Sequence, residues 1–190
     1  MREVTLGLIV LATSLQLCAQ QPPKVELFGG YSLIHRSSDT MNGWDSAVTT
    51  NVNSWFGITA DVSGHYVSQT VFVGPPPGIL GGSADVHAHS FTFGPRLSYR
   101  KSRYTLFAHT LLGVTHLSST VQIQNLTPST FSSSANAFTT LFGGGIDIGI
   151  GHHIAIRPAQ PEYLLLRTSS GINVNQFRYS AGVVFQFGQR

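Results

Sequence analysis

The sequence predicts an all-β chain, an eight-stranded antiparallel up-and-down transmembrane β-barrel. Three observations lead there. First, the stretch Phe177 to Gly188, FRYSAGVVFQFG, alternates with a period of two. Phe177, Tyr179, Ala181, Val183, Phe185 and Phe187 are apolar, and between them Arg178, Ser180, Gly182 and Gln186 are polar or tiny. That alternation marks a strand with two different environments, and its length suits a tilted strand crossing a bilayer, roughly 9–11 residues. Its aromatics gather at both ends of the apolar face, as in the interfacial girdles of membrane barrels. Second, charged residues make up 10% of the chain, against about 25% in ordinary soluble domains, yet no apolar run approaches the ~18 residues of a membrane helix. A chain this apolar without a spanning helix satisfies its backbone in lipid by closing a barrel. Third, seven further stretches of the same kind lie upstream, and the connections between them alternate between short and long.

The chain begins with a targeting segment. Arg2 gives a basic start, Leu6 to Ala12 an apolar run, and Leu17-Cys18-Ala19 a cleavage site. Residues 1–19 are expected to be a signal peptide removed after Ala19, leaving 20–190 as one outer-membrane barrel domain with the barrel proper over 24–190. The rival reading makes Cys18 a lipidated N-terminus. Cleavage leaves no cysteine, hence no disulfide. It removes one base, Arg2, and one acid, Glu3, so the net charge stays +3. So small and scattered a bias gives no nucleic-acid surface.

After QQPPK the first strand is expected over Val25–Ile34, with Glu26, Phe28, Gly30 and Ser32 on one face. The second runs from about Gly43 to Asn51 and the third from Trp55 to Tyr66. A connection over Val67–Asp85 carries three consecutive prolines, Pro75 to Pro77, which no central ladder accommodates. The fourth strand spans Val86–Tyr99, the basic turn Arg100–Arg103 follows, and the fifth spans Tyr104–His116. A Ser/Thr/Asn-rich connection, Leu117–Asn136, precedes the sixth strand, Ala137–Ile150. The seventh, Ile154–Thr168, is interrupted by Pro158 and Pro161, and Glu162 shares the polar face of Arg157 only if the strand bulges near Ala159-Gln160. Three connections are short, near 51–54, 100–103 and 150–153. Four are longer, near 35–42, 67–85, 117–136 and 169–176. Short turns at one end and long loops at the other are the plan of an outer-membrane barrel, with both chain ends at the short-turn, periplasmic side.

In VELFGGYSLI, SFTFGPRLSYR, IAIRPAQPEYLLLR and FRYSAGVVFQFG the chain resembles the small outer-membrane β-barrel proteins of the OmpA/OmpX type, over residues 24 to 190. The resemblance implies a cell-envelope protein of a Gram-negative bacterium, surrounded by outer-membrane lipid and inserted by the barrel-assembly machinery, which reads the final strand. A monomer is expected, with no nucleic acid and no cofactor.

With the polar faces turned inward, the charges gather in one lumen. Glu26, Asp45, Asp61 and Asp147 bring acids, Glu162 a fifth through the bulge, and Arg96, Arg157 and Arg178 bring bases beside His109. An eight-stranded interior is just wide enough for its side chains, and buried charges must pair. The expectation is a packed, charge-paired lumen, with Arg178 meeting Glu26 because closure makes the first and last strands neighbours. A narrow porin-like pore is the alternative. A soluble lipocalin-like barrel would reverse the faces. As for chemistry, His116-Leu117-Ser118 is similar to the His-x-Ser of lipid A deacylase barrels. Nucleophilic catalysis also wants an orienting acid, and no Asp or Glu occurs from Ser119 to Ile146. The expected role is structural or surface-interacting, not enzymatic. A lipid-modifying enzyme using His116 and Ser118 is the other reading. His65, His87 and His89 lie at the same end, and no metal site is expected.

Overall fold

Eight strands and no helix make up the described residues, 22–35, 40–73, 80–123, 129–168 and 173–188, of the computed structural model. They are β1 (Val25–His35), β2 (Thr40–Asn51), β3 (Phe56–Val73), β4 (Leu80–Lys101), β5 (Tyr104–Ile123), β6 (Ser129–Gly149), β7 (Ile154–Thr168) and β8 (Asn173–Phe187). Each pairs antiparallel with its sequence neighbours, and β8 closes on β1 from Val25↔Phe187 to His35↔Phe177. Closure removes the open edge that no stretch of backbone tolerates in lipid.

Alternation sets the faces. Leu27, Tyr31, Trp44, Ile58, Phe91, Phe93, Leu112, Phe142, Val183 and Phe185 are exposed and form an outward apolar belt, while Glu26, Asp45, Asp61, Arg96, Asp147 and Arg178 are buried inside. This is the reverse of a lipocalin-like arrangement. The β1–β8 seam is tight where Gly30 faces Gly182. A Cβ on Gly182 would lie 2.2 Å from the Gly29 carbonyl oxygen, so a side chain there must push the strands apart.

At one end the connections are tight. Asn53 Oδ1 accepts the N–H groups of Trp55 and Phe56, at 3.0 and 2.7 Å, and so holds the β2–β3 turn. Ser102 carries the β4–β5 turn at a left-handed φ of 48°. At the other end the expected long connections are largely strand. β3 and β4 stay paired to Val73↔Leu80, and β5 and β6 to Ile123↔Ser129. The connections expected at 67–85 and 117–136 are corrected accordingly. Residues 173–176 belong to β8 and Thr40–Asn42 to β2. The expected Ala19 cleavage and the Cys18 alternative lie outside the described residues. So do the segments 36–39, 74–79, 124–128 and 169–172.

The loop end is lopsided. β2–β3 pairing stops at Asn42↔Tyr66 and β6–β7 pairing at Ala137↔Thr168, while β3, β4, β5 and β6 continue together. A four-stranded sheet therefore stands beyond the closed barrel.

Candidate functional site

The lumen gathers the charged residues. All nine of the residues expected there, Glu26, Asp45, Asp61, Arg96, His109, Asp147, Arg157, Glu162 and Arg178, are buried and face inward. Glu162 joins them because β7 carries one extra residue: its register against β8 shifts between Arg157 and Gln160, which moves the inward positions from odd to even numbers.

Two groups of charges form. Nearer the turns, Arg157 donates to Asp147 from Nε at 2.6 Å and from Nη2 at 2.9 Å, a two-pronged pair that fixes both planes. Arg96 spans Asp147 and Glu26, each at 3.1 Å, and also donates to Thr49. Arg100, expected in the short basic turn, lies in β4 and reaches back to Glu26 at 2.6 Å. Deeper in, Arg178 donates to both oxygens of Asp61, at 3.2 and 3.0 Å, to Ser63 at 2.8 Å, and to Glu162. His109 meets Glu162 at 2.8 Å from the other side. Gln160 joins the groups: its Oε1 accepts from Arg157, and its Nε2 donates to Glu162 and, at 3.3 Å, to Asp45.

Arg178 does not meet Glu26. Strand closure makes β1 and β8 neighbours, but the register places Glu26 opposite Gln186 and Arg178 opposite Ile34. The offset of eight residues between Arg178 and Gln186 is roughly 26 Å along a strand. Arg178 therefore reaches across the lumen to Asp45 of β2 and Asp61 of β3, and pairs with Glu162, its direct neighbour on β7.

Two aromatic rings complete the turn-side group. Arg157 lies over the rings of Phe28 and Phe107, at 4.4 and 4.3 Å, and Arg96 over Phe107 at 4.0 Å. Rings and guanidiniums thus alternate. The stacking offers the cations a π face as well as carboxylates. Phe28 and Phe107 lie on the inward faces expected for them, beside Glu26 and His109, but their stacking on the arginines was not expected.

Toward the loop end the lining becomes neutral. Ser180 donates to Ser32, which meets His65 Nε2 at 2.9 Å. Ser90, Thr115 and Thr139 link through their hydroxyls at 2.8 and 2.6 Å. Around them lies an apolar cluster: Ile34, Met41, Ala88, Leu111, Ala137, Leu141, Leu164 and Leu166, with Val67, Val86, Leu117 and Val174 packed against it.

His116 and Ser118 lie on the outward face of β5, outside the lumen. His116 Nδ1 meets Asn136 Oδ1 at 2.8 Å, and Ser118 sits opposite His87 and Ser134 in the ladders. His87 and His89 stand edge-on to Tyr66, whose hydroxyl meets His89 at 3.1 Å. Among the described residues no group of histidine, cysteine and acid side chains is arranged to hold a metal.

No family model and no curated protein match the sequence. Solved structures do. The attachment invasion locus protein Ail of Yersinia pestis superposes with a TM-score of 0.56 at 17% identity, over 86% of this chain and 99% of that one. The same protein in complex with the heparin analogue sucrose octasulfate gives 0.55 at 15% identity, over 87% and 99%. Neisserial surface protein A follows at 0.45 and 12% identity, over 86% and 96%. The order of the eight strands, their antiparallel closure and the likeness to Ail together give this chain the fold of the small outer-membrane barrels of the OmpA/OmpX type.

Proposed function

We propose that this chain is a monomeric outer-membrane protein whose lumen is a plug and whose loop end is presented outside the cell, in a structural or surface-interacting role. The observation that carries it is the filled interior. Five acids and four arginines pair along the turn-side half of the lumen, and the apolar cluster occupies the other half. Ions crossing this barrel would have to displace bidentate ion pairs and then pass the apolar cluster. The belt of exposed Phe, Tyr, Trp, Leu, Ile and Val supports placement in lipid, since so large an apolar surface has no stable place in water. The turn end, where β1 begins and β8 ends, would be periplasmic. No catalytic step belongs to this reading. His116 Nδ1 is engaged by Asn136, and Ser118 stands opposite His87 and Ser134 rather than against an acid.

Planar-bilayer recording of the purified full chain is the test. Silence, with a heat-modifiable band in the outer-membrane fraction, is the expected result. Large, steady conductance would replace the plug with a narrow pore. Release of acyl chains from lipid A, abolished by His116→Ala, would replace it with an enzyme.

A further inference from the structure

The outward column of β4 ends in a cation. Phe91, Phe93, Pro95, Leu97 and Tyr99 are exposed along the apolar belt, and Lys101 takes the next position of the same parity. At the other end of the column that position is His89, so the apolar run is bounded on both sides. From Phe91 to Lys101 the strand advances roughly 33 Å. A tilt of about 40° turns this into roughly 25 Å of height, the apolar band of an outer-membrane barrel. With the belt in lipid, Lys101 stands at the headgroup level of the leaflet on the turn side. Its side chain is on the lipid face of the strand, not over the mouth of the lumen.

Its neighbours complete an interfacial patch. Lys101 stands opposite Tyr104 in the ladder, and Tyr99 opposite Leu106. Ser102 closes the turn at its left-handed φ, and Arg103 leads directly into Tyr104. Both tyrosines are exposed. The Gly149 N–H donates to the Arg103 carbonyl oxygen at 2.7 Å, which brings the β6–β7 turn alongside. The protein leaves these cations unneutralised. The acids of this end among the described residues are Glu26 and Asp147, both buried and already held by Arg96, Arg100 and Arg157. Lys101 and Arg103 are exposed, and neither pairs with an acid among the described residues. Lys24, at the start of β1, is exposed and unpaired in the same way. At the loop end Arg167 is the one exposed Lys or Arg among the described residues.

We propose that Lys101 and Arg103, flanked by Tyr99 and Tyr104, hold the headgroup phosphate of an anionic phospholipid in the leaflet at the turn end. The ammonium meets the phosphate as a point charge and the guanidinium as a two-pronged donor. The tyrosines set their rings against the upper acyl carbons and their hydroxyls toward the headgroup. The group recognised is a phosphodiester with no balancing ammonium of its own. Acyl chains lying along Leu97 and Leu106 distinguish the lipid from free phosphate. This deepens the structural reading and rests on the placement of the belt in lipid.

Trp55 reports on this end. It is exposed, and its carbonyl oxygen accepts the Ser98 N–H at 2.8 Å, which sets it beside β4. Trp44→Phe leaves it as the sole tryptophan. The full chain with that substitution is reconstituted in phosphatidylcholine vesicles holding a minor fraction of brominated lipid. The brominated lipid is phosphatidylglycerol in one set and phosphatidylcholine in the other. Stronger quenching of Trp55 by brominated phosphatidylglycerol is expected, and the difference falls as salt is added. Lys101→Gln and Arg103→Gln are each expected to weaken the preference about fivefold, and Arg167→Gln to leave it unchanged. Equal quenching by the two lipids overturns the proposal, as does a preference that survives when Lys101→Gln and Arg103→Gln are combined. Suppression by free inorganic phosphate at constant ionic strength would assign the site to the free ion and overturn the lipid. Absence of quenching by either lipid, in a chain that keeps its heat-modifiable band, would take the rim out of the bilayer and overturn the placement itself. Selectivity and placement therefore fail by different signals.

Discussion

Arg178 and Asp45 face each other at 3.7 Å, yet their removal has unequal consequences. Arg178 is fully buried and is shared by Asp61, Glu162 and Ser63. Arg178→Ala strands two buried carboxylates and is expected to cost about 3–5 kcal/mol, less if water enters the lumen. Asp45 is held loosely, by Gln160 at 3.3 Å and Arg178 at 3.7 Å, and its Oδ1 has no hydrogen-bond partner. Asp45→Asn removes one acid from a lumen with five acids and four arginines, and is expected to change stability by less than about 1 kcal/mol. Urea unfolding from liposomes separates the two, and equal costs would show that Asp45 carries as much of the network as Arg178. The inward position of the nine expected charges was legible in the sequence because parity and polarity coincide there. Their partners were not. Pairing across a lumen depends on the stagger of every intervening strand, which is why Arg178 finds Asp61 rather than Glu26. Phe28 and Phe107 were legible as inward from their parity, but the stacking of their rings on Arg157 and Arg96 depends on the same stagger and was not.

Among the strands, β8 gives the sharpest contrast between faces. Val183 is exposed near the middle of the belt, and Gly182 faces Gly30 across the seam. Val183→Arg puts a charge near the bilayer midplane and is expected to cost roughly 2–4 kcal/mol. Gly182→Ala adds no charge but forces a methyl group against the Gly29 carbonyl, and is expected to cost about 1–3 kcal/mol by overpacking. Equilibrium folding into liposomes measures both, and a costless Val183→Arg would mean that this face does not meet lipid. Strand β7 was read with its ends in place, because a tight turn and a polar loop bracket it. Strands β3 to β6 were read too short. Beyond the bilayer a strand has no lipid face, so alternation of apolar and polar residues fades. What remains, as in Ser129–Asn136, is a Ser/Thr-rich stretch that composition alone assigns to a loop.

For the molecule as a whole, orientation is the property most directly tested. The basic turn Arg100–Arg103 lies at the same end as the start of β1 and the end of β8, while the protruding sheet lies at the other. Trypsin added to intact cells is expected to spare Arg100, Lys101 and Arg103, and to reach Lys101 and Arg103 once the outer membrane is opened. Cleavage there in intact cells would invert the barrel. The extra residue of β7 bears on the whole chain in a different way. In a closed barrel, losing one residue from a strand turns the rest of that strand inside out, sending its inward side chains to lipid and its outward ones into the lumen. Between Arg157 and Gln160 the count already runs one residue ahead of both neighbouring strands. Losing Pro158 or Ala159 would bring β7 level with β6 and β8 and leave Arg157, Glu162 and Leu164 facing inward. Deleting Pro158 is therefore expected to give a folded, heat-modifiable barrel, and deleting Leu165 is not. Descendants of this chain can change length inside a strand at this bulge without rewriting the other seven strands.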